Sequence, residues 1–149
     1  MSSAIQHAIN EAVKDAMRAK AKERLMTLRL ITSEFKRIEV DERIELDDAR
    51  VLAVLDKMVK QRRDSAKQYS ENGRPELAER EQFEIGVIQE YLPQQLSEAE
   101  LRTLVQEAAA TLGATGMADM GKLMGAVKPQ VQGRADMGLV SQLVKAQLQ

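Results

Sequence analysis

The chain has 149 residues, with 22 basic and 23 acidic side chains and no cysteine. That length holds one ordinary domain or two small helical ones, and the balanced charge lacks the basic excess typical of a general nucleic-acid binder. Disulfides, thiolate metal sites and cysteine nucleophiles are excluded, and two tyrosines, two phenylalanines and no tryptophan give no aromatic platform for stacking single-stranded bases.

The residues from Met1 to His7 lack a charged region followed by an apolar run. No apolar stretch approaches the ~18 residues that a membrane span requires. The expectation is a cytoplasmic protein with no membrane partner. Helical periodicity then runs from end to end. Ile5, Ala8, Ile9, Ala12, Val13, Ala16 and Met17 form a first apolar stripe, with Ser2 or Ser3 as its N-cap. Leu25, Leu28, Ile31, Phe35 and Ile38 form a second, which fades in the charged segment from Glu39 to Glu45. Asp47 caps a third helix on Val51, Leu55, Met58, Val59, Ala66 and Tyr69, and Asn72-Gly73 ends it. Pro75 suits the first position of a fourth helix, which carries Leu77, Ile85, Ile88 and Leu92 and stops before Pro93.

Ser97-Glu98-Ala99-Glu100 is a capping box for a fifth helix with Leu101, Leu104, Val105, Ala108 and Leu112, closed by Gly113. A sixth covers Met117 to about Val127, with a kink onward past Pro129. Asp136 caps the last, which carries Leu139, Val140, Leu143, Val144 and Leu148. No segment alternates as a strand does. The connection Leu92 to Leu96 divides an N-terminal four-helix bundle, 1–92, from a smaller C-terminal three-helix bundle, 97–149, in an all-α chain.

Candidate chemistry is sparse. Lys57, Lys60, Asp64 and Lys67 fall on the third helix opposite its apolar stripe and read as a solvated face. Arg62 falls inside the stripe, and Glu81 falls on the stripe of the fourth helix. Antiparallel pairing about Gly73 brings these two to similar heights, so Arg62 is expected to bridge to Glu81, or to Glu84 one turn on, in a structural ion pair. His7 is the only histidine and has no companions to complete a metal site. Asp41-Glu42 and Asp47-Asp48 lack the spacing and glycine of a calcium loop, and no phosphate-cradling loop or nucleophile elbow occurs. No metal, cofactor or catalytic residue is expected.

The segment Met117 to Asp136 is less ordinary. Met117, Met120, Met124, Val127 and Val131 share one helix face, by default a core face. Gly121 and Gly125 border it, although glycine inside a helix costs roughly 1 kcal/mol relative to alanine. They admit close approach of another helix or of a sugar-phosphate backbone. Lys122, Lys128 and Arg134 stand nearby. The free N–H groups ahead of the last helix offer a phosphate seat beside Arg134, opposed in part by the Asp136 carboxylate.

Three runs, Lys60-Gln61-Arg62-Arg63-Asp64-Ser65, Asn72-Gly73-Arg74 through Leu77-Ala78-Glu79, and Glu90-Tyr91-Leu92-Pro93, resemble the YqeY family of small bacterial proteins. The tail Asp119-Met120-Gly121-Lys122-Leu123-Met124-Gly125 with Gly133-Arg134-Ala135-Asp136 is similar to that family's most distinctive signature. The likeness covers essentially the whole chain. The family is in turn similar to the C-terminal tail of the B subunit of the tRNA-dependent Asp/Glu amidotransferase, and to an appended domain of some glutaminyl-tRNA synthetases. The resemblance implies the four-plus-three helical architecture and a tRNA-gripping tail. It also implies a family-level association with carbon–nitrogen ligase activity using glutamine as amido donor, with the chemistry housed in other domains and subunits. In one place the chain departs from the pattern: Met137-Gly138 stand where the family commonly has Gly-Lys before Leu139-Val140, so one cation is missing.

The leading expectation is therefore a tRNA- or RNA-binding module without independent catalysis. Lys122, Lys128 and Arg134 would contact phosphates, while Gly121, Gly125 and Gly133 permit close approach. A tRNA synthetase or amidotransferase component is an implied partner. The alternative is a protein–protein adaptor using the methionine-bearing surface, which requires Met120 and Met124 to be exposed.

Overall fold

The computed structural model describes residues 3–149, and among them every regular element is helical. The chain divides into two compact units, one ending at Pro93 and the other spanning Gln94–Gln149.

The first unit contains α1 (Ala4–Arg18), α2 (Lys22–Glu42), α3 (Asp48–Glu71) and α4 (Pro75–Gln89). Ser3 is the N-cap of α1, its Oγ accepting from the Gln6 N–H at 3.1 Å; Ser2 lies outside the described residues. The same hydroxyl donates to the Asp48 carboxylate, tying the start of α1 to the start of α3. The buried stripe of α2 ends at Ile38, before the charged segment, and the helix itself continues to Glu42. Arg37 pairs along the helix with both Glu34 and Asp41, and Arg50 pairs with Glu42. Charge pairs one turn apart supply the local stabilisation that apolar spacing does not. Arg43, at φ 55°, closes it in the left-handed region.

Asp47 caps α3 by accepting from the Arg50 N–H at 2.8 Å. The turn into α4 uses Gly73 at φ +71°, a conformation glycine adopts without a Cβ penalty. Helix α4 ends at Gln89, three residues earlier than its apolar pattern suggests. Glu90, Tyr91 and Leu92 each donate to the carbonyl three residues back, the tightening usual at a helix end. Phe35, Ile9, Leu28, Ile31, Leu55 and Ile88 are completely or almost completely buried in this unit's core. Each contributes about 1.5–3 kcal/mol by leaving water. Arg24 fastens α2 to the segment after α4, reaching Glu90 at 2.6 Å and the Tyr91 hydroxyl at 3.3 Å.

The second unit contains α5 (Glu98–Leu112), a 3-10 turn at Met117–Asp119, α6 (Met120–Val131) and α7 (Met137–Leu148). The capping box at Ser97 is complete: the Glu100 N–H donates to Ser97 Oγ at 3.1 Å and the Ser97 N–H to Glu100 Oε1 at 3.2 Å. Leu101, Val105, Leu123, Val127, Val140 and Val144 form its core, one stripe from each of the three helices.

Candidate nucleic-acid interface

The sixth helix does not start at Met117. The chain turns through Met117–Asp119 first, with the Asp119 carboxylate accepting from the Thr115 N–H at 3.2 Å. The helix then runs to Val131 with Pro129 inside it. Leu123, Val127 and Val131 are buried, and Met120 and Met124 are half-buried against the same core. The methionine stripe is thus mainly packing, and the adaptor reading loses the open surface it required. Only Met117, 45% exposed, stands out from it.

The opposite face is bare. Gly121 and Gly125 are exposed, and a Cβ built on either meets nothing within 4 Å. Among the described residues no other helix approaches them, so packing inside the unit does not account for glycine there. At 100° per residue, Lys122 and Lys128 flank these glycines on either side. Both lysines are exposed and, among the described residues, neither has an acidic partner. Pro129 lies on the same exposed face and has no N–H, so the carbonyl of Gly125 lacks its usual donor four residues on. The site thus combines a strip of uncovered backbone, two solvated cations and one underused acceptor. The sequence marks Pro129 as a kink, and its spacing of four from Gly125 is the signal for the lost donor.

Arg134 plays a different part from the one its charge suggests. Its Nε donates to the Gln94 carbonyl at 3.2 Å and an Nη to the Gln130 carbonyl at 3.4 Å. The Leu96 N–H donates to the Arg134 carbonyl and Gln95 Nε2 to the Gly133 carbonyl, both at 2.8 Å. Gly133 adopts φ +75° to turn the chain there, Ala135 is buried, and Asp136 caps α7 by accepting from the Leu139 N–H at 3.3 Å. The run Gly133 to Asp136 is therefore a latch holding the segment 94–96 to the α6–α7 turn. The phosphate seat expected ahead of α7 holds a carboxylate instead: the Cβ position of Gly138 lies 3.2 Å from Asp136 Oδ2. Gln94 and Gln95 read as linker in the sequence, because their role depends on main-chain contacts that no residue pattern marks.

In the first unit Arg62 reaches Glu84 rather than Glu81. Its Nε stands 3.3 Å from Glu84 Oε2 without hydrogen-bond alignment, while Nη1 donates to the Met58 carbonyl at 3.2 Å. The two side chains are only 15% and 13% exposed. Burial, and then the neighbouring Glu84 charge, raise the Glu81 carboxyl above its ordinary value against the opposing pull of Arg62 and Arg80. Lys57, Lys60, Asp64 and Lys67 form an exposed face, and His7 is exposed on α1. Among the described residues no three histidine or carboxylate side chains converge as metal ligands, and no helix is long and apolar enough to cross a membrane.

The profile of the Yqey-like protein family matches residues 6–148, and the chain belongs to that family. It is 35% identical over 107 residues to the protein of Lachancea thermotolerans named "Altered inheritance of mitochondria protein 41, mitochondrial", an alignment covering 70% of this chain and 57% of the relative. The like-named protein of Eremothecium gossypii is 34% identical over 92 residues, covering 61% and 50% respectively. That of Pyrenophora tritici-repentis is 30% identical over 125 residues, covering 83% and 68%. The chain thus spans little more than half the length of the first two relatives. These names correct the cytoplasmic expectation, because the relatives are named as mitochondrial proteins. Lack of a secretory signal does not bear on a mitochondrial address, which is written as an amphipathic, arginine-rich segment instead.

Proposed function

We propose that this member of the Yqey-like family is an RNA-binding accessory of tRNA-dependent amide transfer, which lays the glycine face of α6 against the sugar-phosphate backbone of a tRNA. The observation that carries the reading is the pair of exposed glycines with nothing within 4 Å of their Cβ positions. They are flanked by two lysines that lack acidic partners among the described residues. A backbone strip without side chains lets a phosphate chain approach within contact distance, and the lysines neutralise it from both sides. Such contacts give affinity and orientation but little sequence information. The Gly125 carbonyl supplies an acceptor that a ribose 2′-hydroxyl can satisfy and a deoxyribose cannot. Arg134 and Gly133 serve by holding the turn, so Lys122 and Lys128 carry the phosphate contacts. The amidating chemistry belongs to a partner, an amidotransferase component or a tRNA synthetase.

The test is filter binding of bulk tRNA by the wild type and by Lys122→Ala/Lys128→Ala across a salt series. The double variant should bind more weakly, with a log–log salt slope shallower by about 1.4–1.8 units, two phosphates at roughly 0.7–0.9 each. Equal affinity and slope for both proteins would remove α6 from the binding surface. A DNA hairpin of matching sequence should bind less well than its RNA form. The chain alone, given mischarged tRNA and glutamine, should turn nothing over, and turnover would overturn the accessory role.

A further inference from the structure

The first unit carries a second unassigned surface, between α2 and α4. Three large apolar side chains are left open there: Met26 at 52%, Leu30 at 43% and Phe83 at 42% exposure. Isolated apolar side chains on a surface are ordinary, but a cluster on two adjacent helices marks an interaction site. A hollow of about 520 Å³ lies between Met26 and Phe83 and is walled by Glu23, Glu76, Glu79 and Arg80. It is continuous through Phe83 with a second hollow of about 670 Å³ beside Gly86, and through Met26 with a third of about 390 Å³ at Leu30. A Cβ at Gly86 would meet nothing within 4 Å, so the groove floor is open there. Its lining on α2 extends from Lys22 to Ser33, roughly 16 Å at 1.5 Å per residue, the length of about three turns of an incoming helix.

The charge of the central hollow identifies the kind of helix. Glu23, Glu76, Glu79 and Glu84 surround it against the single cation Arg80. Glu76 is paired with Arg74 and Glu84 with Arg62, whereas Glu23 and Glu79 have no cationic partner among the described residues. Arg80 lays its Nη2 3.4 Å from Met26 Sδ, so the floor already accommodates a guanidinium on its thioether. Lys20 and Lys22 line the Gly86 hollow and Lys22 and Arg29 the Leu30 hollow, so the acidic excess is confined to the middle of the groove. We infer that this α2–α4 groove seats a basic amphipathic helix of a partner protein, its apolar side chains on Leu30, Met26 and Phe83 and its lysine or arginine side chains on Glu23 and Glu79. Apolar helix faces in grooves of this kind are read through anchors three, four and seven residues apart.

The experiment titrates the isotope-labelled full chain with a three-turn amphipathic peptide of leucine and lysine, with its leucine–glutamate counterpart as control. Amide perturbations should centre on residues 23–30 and 79–86, and the glutamate peptide should not compete. Met26→Ser/Phe83→Ser should weaken binding roughly tenfold or more, as loss of an aromatic anchor does. Glu23→Gln/Glu79→Gln should weaken it several-fold and flatten its salt dependence. The second pair is exposed, so it keeps the test valid even if the first pair disturbs the helices. Undiminished binding by both double variants, or perturbations centred elsewhere, would overturn the assignment. So would self-association of the chain alone that Met26→Ser/Phe83→Ser abolishes, since the occupant would then be a second copy.

Discussion

At Gly121 and Gly125 stability and binding make opposite demands. Both positions are exposed, helical and unobstructed, so alanine at either should raise the unfolding free energy by up to about 1 kcal/mol. The same methyl groups cover the strip offered to RNA. Gly121→Ala/Gly125→Ala should therefore melt at a higher temperature and bind tRNA less tightly. If affinity stays unchanged while stability rises, the glycines are not part of the interface. At Arg62 the balance is different. Glu84→Ala leaves a largely buried guanidinium with only the Met58 carbonyl and should cost about 3 kcal/mol, measured by urea denaturation. Glu81 supplies a pH signature. Its carboxyl titrates higher in the folded protein than in the unfolded chain, so the folded state holds the proton more tightly. The associated stability is present below the unfolded value and is lost as pH rises through the raised folded value. Glu81→Gln should remove that loss, being more stable than wild type at neutral pH and flatter in its stability profile just above pH 4.5, the ordinary value for such a group.

Among the elements, the helix starts were the most legible in the sequence. Ser3, Asp47, Ser97 and Asp136 each accept from a backbone N–H near the start of the following helix, because capping is local chemistry written within four residues. Ser97→Ala should cost about 1 kcal/mol, read as a lower melting temperature. The helix ends were less legible. The last part of α2 depends on Arg50, a residue of the next helix, and the end of α4 on turn bonds ahead of Pro93. The bare face of α6 was half visible. The glycines and lysines stand in the sequence, yet only the packing of Leu123, Val127 and Val131 settles which side faces water. Arg134 misled because charge suggests phosphate, whereas its acceptors are main-chain carbonyls that sequence cannot display. Gly138 offers a gain of function. The atom nearest its Cβ position is Asp136 Oδ2 at 3.2 Å, the cap acceptor of α7, so Gly138→Lys restores the missing cation once that carboxylate gives by a few tenths of an ångström. It should tighten tRNA binding and steepen the salt slope by about 0.7–0.9.

On the scale of the molecule, two hydrophobic cores without a shared cluster suggest two unfolding events. The Arg134 latch belongs wholly to the second unit. Arg134→Ala removes two side-chain bonds to carbonyls, and at about 0.5–1.5 kcal/mol each it should lower one calorimetric transition and leave the other in place. The latch also determines where the chain can be cut. A boundary drawn from the helix pattern begins the second unit at residue 97, after the segment 94–96 has been discarded. Such a fragment would lack the Gln94 carbonyl, the Gln95 amide and the Leu96 N–H that close the α6–α7 turn. A fragment beginning at Gln94 retains all three. For dissection, fusion or limited proteolysis, the edge of this unit is thus set by three residues with no helix of their own, and the safe place to open the chain lies ahead of them.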